Sequence, residues 1–255
     1  MTDIDRKLNK FLFPVSERKV YVESLIGEDP KLTRDYKAIV RQDKNKLISV
    51  MNSTYNVVPN SEVIKPLLEQ LHRLDSKWYL DKSHSFVNNK RMRLQVTFPD
   101  LTFNDGRSEI ALSLYLHNSY DGSEGVRLFW GAIRFICGNG MVFGKVLGQF
   151  YGKHTAGLNL TNLKEQVEKT YDTIPVIKRR IDLLQNTIVS SDLKEEVTQR
   201  LGKSISKYVT EQEGKHRKTI SQWMLYNYLT YYISHMIDQR MRAQYQIAVS
   251  RLFKL

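Results

Sequence analysis

The chain has 255 residues, of which 41% are hydrophobic and 26% charged, so it can bury a core and is not a disordered tail. Its 39 Lys and Arg against 27 Asp and Glu leave a net charge of +12, which favours polyanionic partners, nucleic acid first. The single cysteine, Cys137, excludes a disulfide scaffold, and no Cys/His pair stands at zinc-ligand spacing, so no metal or cofactor is expected. The opening residues MTDIDRKLNKFLFP hold no apolar run of signal-peptide length, and no uncharged stretch approaches ~18 residues. A soluble, cytoplasmic protein without a membrane segment is the expectation.

Residues 1–35 are interrupted by Pro14, Gly27 and Pro30 and read as an irregular segment with one short element at Val20 to Ile26. From Tyr36, YKAIVRQ and KLISVMN flank the polar turn Asp43, Lys44, Asn45, a hairpin pattern. Asn60 or Ser61 can cap a helix whose Ile64, Leu67, Leu68, Leu71 and Leu74 fall at helical spacing. This helix is expected to lie on a sheet.

Between about Ser85 and Tyr151, Met92, Leu94, Val96 and Phe98 alternate with polar residues, as do Ile110, Leu112, Leu114 and Leu116. That is the pattern of half-buried antiparallel strands. Asp105-Gly106, Asp121-Gly122 and Asn139-Gly140 supply turns; GAIRFI reads as strand, with helix as the alternative. After His154 the pattern becomes helical, interrupted at Pro175. From about Lys215 to Leu255, where Gly and Pro are absent, one long helix or two nearly collinear ones are expected. The predicted fold is α+β: one domain over 36–255, sheet-rich over 36–152 and helical over 158–255, with an antiparallel meander and a long C-terminal helix.

The densest polar block, H117-N-S-Y-D-G-S-E-G-V-R127, contains Asn118, Ser119, Asp121 and Ser123. A turn accounts for these side chains without a ligand; the functional alternative is an anion-binding tip served by Arg127 and Arg134. His154 and, on the last helical stretch, Asn227 and Thr230 are further polar candidates. Cys137 reads as a small buried hydrophobe. Paired glycosidase carboxylates and the HExxH, GxSxG, GxGxxG and P-loop motifs are all missing from the sequence, so no catalytic residue is assigned. For nucleic acid, charge must be joined by aromatic faces. Lys90, Arg91 and Arg93 on a strand, and Lys178, Arg179, Arg180, Lys215, Arg217, Lys218, Arg240 and Arg242 in the helical half, are the candidate DNA contacts, with Arg127 and Arg134.

YKAIVRQDKNKLISVMNSTYNVVPN, LHNSYDGSEGVRLFWGAIRFICGNGMVFG and QWMLYNYLTYYISH, in that order, resemble the DUF932 family of phage and plasmid-like proteins. Tyr55, Asn60, Asn118, Ser119, Asp121, Gly122, Ser123, Arg134, Cys137, Asn139, Asn227 and Thr230 fall on family-typical positions, whereas Glu124-Gly125 and Tyr228 depart from the usual pattern. The resemblance implies a mobile-element context. Combined with the charge, it leads to a non-catalytic DNA-binding protein, a single-strand binding or annealing factor that could oligomerise. The alternatives are an anti-defence protein that binds a host protein, and an enzyme or small-ligand module around Asn118, Ser119, Asp121, Arg134, His154 and Asn227.

Overall fold

A computed structural model of the chain describes residues 8–23, 29–104, 109–134, 140–142, 149–161, 165, 174–215 and 219–255. Two antiparallel sheets and six named helices make up this part, the predicted α+β class.

The first sheet joins β1 (Val15–Val22), β2 (Lys31–Arg41) and β3 (Lys46–Asn52) in chain order. The β2–β3 hairpin turns as predicted, through a 3-10 turn at Gln42–Lys44 and Asn45 in the left-handed region at φ 43°. The N-terminal stretch differs from expectation, because Val15–Val22 is a full eight-residue strand. Its partners jump from Lys19↔Lys37 to Val20↔Thr33, leaving Arg34, Asp35 and Tyr36 without β1 neighbours. A second irregularity sets Ile39 opposite Ser49 and Val40 opposite Leu47. Ile39 and Ile48 are buried with Phe13 and Tyr120 in a small cluster. Such slips bend and twist a strand pair.

The second sheet has the order β10-β8-β7-β6-β4, with β5 also on β6 and β9 also on β8. β6 (Arg91–Asn104), β7 (Glu109–Ser119) and β8 (Val126–Arg134) form the predicted meander, and GAIR is strand. β9 (Gly140–Val142) and β10 (Gln149–Gly152) pair successive stretches of β8; β4 and β5 are two-residue strands, Tyr79–Leu80 and Phe86–Val87. The apolar rows Met92, Leu94, Val96, Phe98 and Ile110, Leu112, Leu114, Leu116 enter the main core. Leu128 and Trp130 join them there with Val63, Ile64, Leu67 and Leu71 of α1 (Asn60–Leu71).

Half-burial is the point the structure corrects. The polar alternates Arg93, Gln95, Thr97, Ser113 and His117 are also buried. The register makes this tolerable, because it pairs Thr97 with Ser113 and Arg93 with His117 across the strands. The Thr97 and Ser113 hydroxyls bond at 3.0 Å, so they enter the interior satisfied. Ile247 of α6 (Gln239–Leu252) covers Tyr115 and Phe129 on this face.

The helices begin where their caps direct. α2 is described over Ile174–Asn186 with Pro175 as its second described residue, and the stretch just before it lies outside the described residues. α3 (Ser191–Leu201) is capped by Ser190, and Gly202 at φ 93° separates it from α4 (Lys203–Glu213). The expected long C-terminal helix is two shorter ones. α5 (Gln222–Met236) stops at Ile237 and Asp238, both extended, with ψ 139° and 134°; the Asp238 carboxylate then caps α6. A short acidic side chain that satisfies free helix N–H groups ends one helix and starts the next. Asn60 does not cap α1, whose N-cap is Pro59. Its amide donates instead to the Phe11 carbonyl at 2.9 Å.

Gly122 adopts φ 69° at the tip between β7 and β8, in the Asp-Gly turn expected there. Gly122→Ala is expected to cost about 1–2 kcal/mol in urea denaturation, because only left-handed strain is added where Met51 Cε can swing away. Gly157→Ala, with nothing within 4 Å, is expected to stay within about 0.5 kcal/mol of the parent. Equal effects would refute the conformational assignment.

Candidate functional site

The polar block at the end of β7 is a lock. Asn118 donates to the Val58 carbonyl at 2.8 Å and to Asn60 Oδ1 at 2.9 Å, and the Tyr120 hydroxyl meets the Asn60 N–H at 2.8 Å. The Tyr55 hydroxyl donates to the Ser119 carbonyl at 3.0 Å. Ser119 Oγ donates to the Glu124 carbonyl at 2.7 Å and accepts from its N–H at 3.1 Å. Asp121 accepts from the Ser123 N–H at 3.1 Å and from its hydroxyl. His154 donates through Nδ1 to the Asn56 carbonyl at 3.0 Å and stacks on Tyr55 at 4.9 Å. The chain therefore brings Asn118, Ser119, Asp121, Ser123 and His154 together, largely to bond one another and nearby backbone.

Asn227 and Thr230 lie elsewhere, bonded within α5 to the Trp223 and Asn227 carbonyls at 2.7 and 3.1 Å. Cys137 and Asn139 lie outside the described residues, as do the turn Asp105-Gly106 and the side chain of Arg134.

Glu124, one of the two departures from the family pattern, turns inward. It bonds the Arg93 guanidinium and lies 3.5 Å from His117 Nδ1. Arg93 also donates to the carbonyl of Arg240 at the start of α6. Burial would raise Glu124, but the hydrogen bonds and charges of His117 and Arg93 outweigh it and hold its carboxyl at about 2. Burial dominates at His117 and pushes it below 6.5, with the Glu124 bond opposing and the Arg93 and Arg127 charges adding to the fall. The state that follows near neutral pH is an ionised Glu124 held by Arg93 beside an uncharged His117.

This accounts for many of the cations singled out in the sequence. Arg93 is 8% exposed and committed inward. Arg91 faces Asp121 at 3.5 Å, Arg127 lies over the Tyr151 ring at 4.9 Å, and Arg180 donates to the Phe253 carbonyl at 2.8 Å. Arg240 forks onto Asp238 at 2.9 Å twice, and Arg242 Nε donates to the Ile237 carbonyl at 2.8 Å. Lys90, Lys178, Arg179 and Lys215 are exposed, with Lys215 donating to Gln212 at 2.9 Å; Arg217 and Lys218 lie outside the described residues.

The cations of the first sheet are not among the contacts expected from the sequence. Arg18, Lys19, Lys31, Arg34 and Lys46 are exposed there, beside Tyr21 and Tyr36 at 57% and 53% exposure and Leu47 and Val50 at 56% and 49%. Tyr21 pairs with Leu32 and Val50 with Ala38 across the strands. Among the described residues Arg18, Lys19, Arg34 and Lys46 make no ion pair. The signal was present: SERKVYV and KLTRDYK interleave cations with aromatic and aliphatic side chains. Cations and rings on an open sheet are a surface suited to unstacked bases and phosphates.

A two-sheet α+β protein whose meander ends in a hydrogen-bonded Asn-Ser-Tyr-Asp-Gly-Ser turn is thus defined by fold and site. Over residues 47–253 the chain matches the DUF932 family, described as a domain of unknown function, and it belongs to that family. The match begins within β3, so β1 and β2 lie outside it. No curated protein and no solved structure matches the chain. Among the described residues no helix is long and apolar enough to cross a membrane, and no group of three or more His, Cys, Asp or Glu side chains could hold a metal ion.

Glu124→Gln is expected to destabilise the fold by about 3 kcal/mol or more in urea, because it leaves a buried guanidinium without its counter-charge. In the parent, unfolding takes up protons at His117 below its ordinary 6.5 and at Glu124 between 4.5 and about 2. Stability should therefore fall as pH drops through both ranges. Denaturation at pH 7, 5 and 3 checks this; a variant that loses stability with pH as steeply as the parent would contradict it.

Proposed function

We propose that this protein binds single-stranded nucleic acid, DNA in the first instance, without catalysing a reaction on it. The observation that carries this reading is the β1–β2–β3 sheet, where Arg18, Lys19, Arg34 and Lys46, none of them in an ion pair among the described residues, are exposed on the same sheet as Tyr21 and Tyr36. Phosphates take the cations and splayed bases take the rings, a combination tolerant of sequence. A strand of 11 residues such as β2 extends up to about 36 Å, enough to follow several nucleotides. The net charge of +12 adds attraction at long range. The mobile-element context implied by the family resemblance suits a role in DNA recombination or replication in a bacterial cytoplasm.

A second reading, a host protein as partner, is favoured by Leu32, Leu47 and Val50, which are 44–56% exposed and apolar beyond what phosphates require.

The test is a mobility-shift titration of a labelled single strand against salt. Changing Arg18, Lys19, Arg34 and Lys46 together to Ala is expected to flatten the salt slope by about two to three units, and Tyr36→Ala to weaken binding about tenfold or more. Lys178→Ala with Arg179→Ala should change neither. No binding at ~50 mM salt would overturn the proposal; binding to a host protein that persists after nuclease treatment and ignores salt would favour the second reading.

A further inference from the structure

β1 stands at the edge of the first sheet: among the described residues it has β2 on one side and no strand on the other. Every residue from Val15 to Val22 has a partner on β2, and the extra residues at the irregularity lie on β2, so β1 itself runs without interruption. Its N–H and C=O groups that point away from β2 are a template for another strand. Tyr21 and Val22 on this edge are each 57% exposed, and Glu17, Arg18 and Lys19 are exposed as well. Cations alone on an edge would hold a second chain off, but here an acid stands two residues before Lys19. Glu17 takes Lys37 Nζ on Oε1 at 2.7 Å, and no bond reaches its Oε2 among the described residues.

We propose that this edge is a dimer interface, on which β1 of a second copy of the chain adds antiparallel and joins the two three-stranded sheets into one. A two-fold axis normal to the sheet keeps each face on its own side, so it must pass through a residue position and not between two. Three registers keep the charged stretch at the centre. Centred on Glu17, the pairing sets Glu17 against itself and Lys19 against Val15; centred on Lys19, it sets Lys19 against itself and Glu17 against Tyr21. Centred on Arg18, it sets each Glu17 against Lys19 of the second copy, twice by symmetry, with Val15 against Tyr21 and Ser16 against Val20. Opposite charges directly across a strand pair attract and like charges repel, so Glu17-Arg18-Lys19 is complementary to itself in this last register. Its like-charged pair is Arg18 with its own copy, on the other face of the sheet. Ala38 lies across from Arg18 on β2, a small neighbour that leaves the guanidinium room to turn away. The interface does not rest on the nucleic-acid reading; in the dimer Lys19 is paired to Glu17, and Arg18, Arg34 and Lys46 remain for a polyanion.

The test is sedimentation velocity of the full chain, freed of nucleic acid, over a dilution series at ~0.15 M salt. A concentration-dependent equilibrium between monomer and dimer is expected. Glu17→Lys and Lys19→Glu should each raise the dimer Kd about tenfold or more, because each replaces two attractions by two repulsions. An equimolar mixture of the two variants should dimerise as the parent does, since one chain then carries two cations at these positions and the other two acids. Recovery on mixing also establishes that both variants are folded. Arg18→Ser, which removes the like-charged pair, should lower Kd about threefold or more, and it carries the test if circular dichroism shows a charge variant to be unfolded. A parent that stays monomeric at every concentration, a dimer that both folded charge variants leave intact, one that their mixture fails to restore, or a Kd that Arg18→Ser does not lower overturns the proposal. None of these results decides whether the first sheet binds an oligonucleotide, which the mobility-shift titration reads separately.

Discussion

A guanidinium taken out of water needs a fixed counter-charge, and Arg93 imposes that need on three parts of the chain. Glu124 supplies the charge, and it can do so because Ser119 and Gly122 shape the turn that carries it. The carbonyl of Arg240 supplies a further acceptor, which ties the junction of α5 and α6 to the sheet. Removing one member of such a set leaves the others buried and unmatched, at a cost larger than the net stability the intact pair contributes. α6, which covers part of the polar face of the meander, is therefore positioned partly by the Arg93 guanidinium, not by apolar packing alone.

The same accounting redistributes the surplus of positive charge. A count of Lys and Arg does not distinguish a cation facing solvent from one spent on a carboxylate or a helix-end carbonyl. In the helical half several arginines are spent in this way: Arg180 on Phe253, Arg240 on Asp238, Arg242 on Ile237. On the first sheet Arg18, Lys19, Arg34 and Lys46 stay outside, on strands that also expose Tyr21, Leu32, Tyr36, Leu47 and Val50. Exposed cations thus remain on the first sheet, as they do at Lys90, Lys178 and Arg179.

What could be read in advance follows the range of the forces involved. The alternation of Met92, Leu94, Val96 and Phe98, and the demand for φ > 0 at Gly122, are local and were legible. So was the hairpin closed by Asn45. The burial of Gln95, Thr97 and Ser113 was not, because it depends on α6 arriving from a hundred and more residues away and on a register that pairs hydroxyl with hydroxyl. The break at Ile237 and Asp238 was hidden by the absence of Gly and Pro; the carboxylate cap alone marked it. β1 was concealed by its charge, since an exposed strand needs little apolar alternation. Of the candidate polar residues, those of the turn bond one another and nearby backbone and His154 stacks on Tyr55, while Asn227 and Thr230 bond carbonyls of α5.

The most direct test of the charge redistribution is photochemical crosslinking of a bromodeoxyuridine single strand to the protein, with the modified residues located by mass spectrometry. If the first sheet is the contact surface, adducts concentrate between Val15 and Asn52, on Tyr21 and Tyr36 foremost. Adducts confined to residues 174–186 and 222–252, with the sheet unmarked, would contradict it.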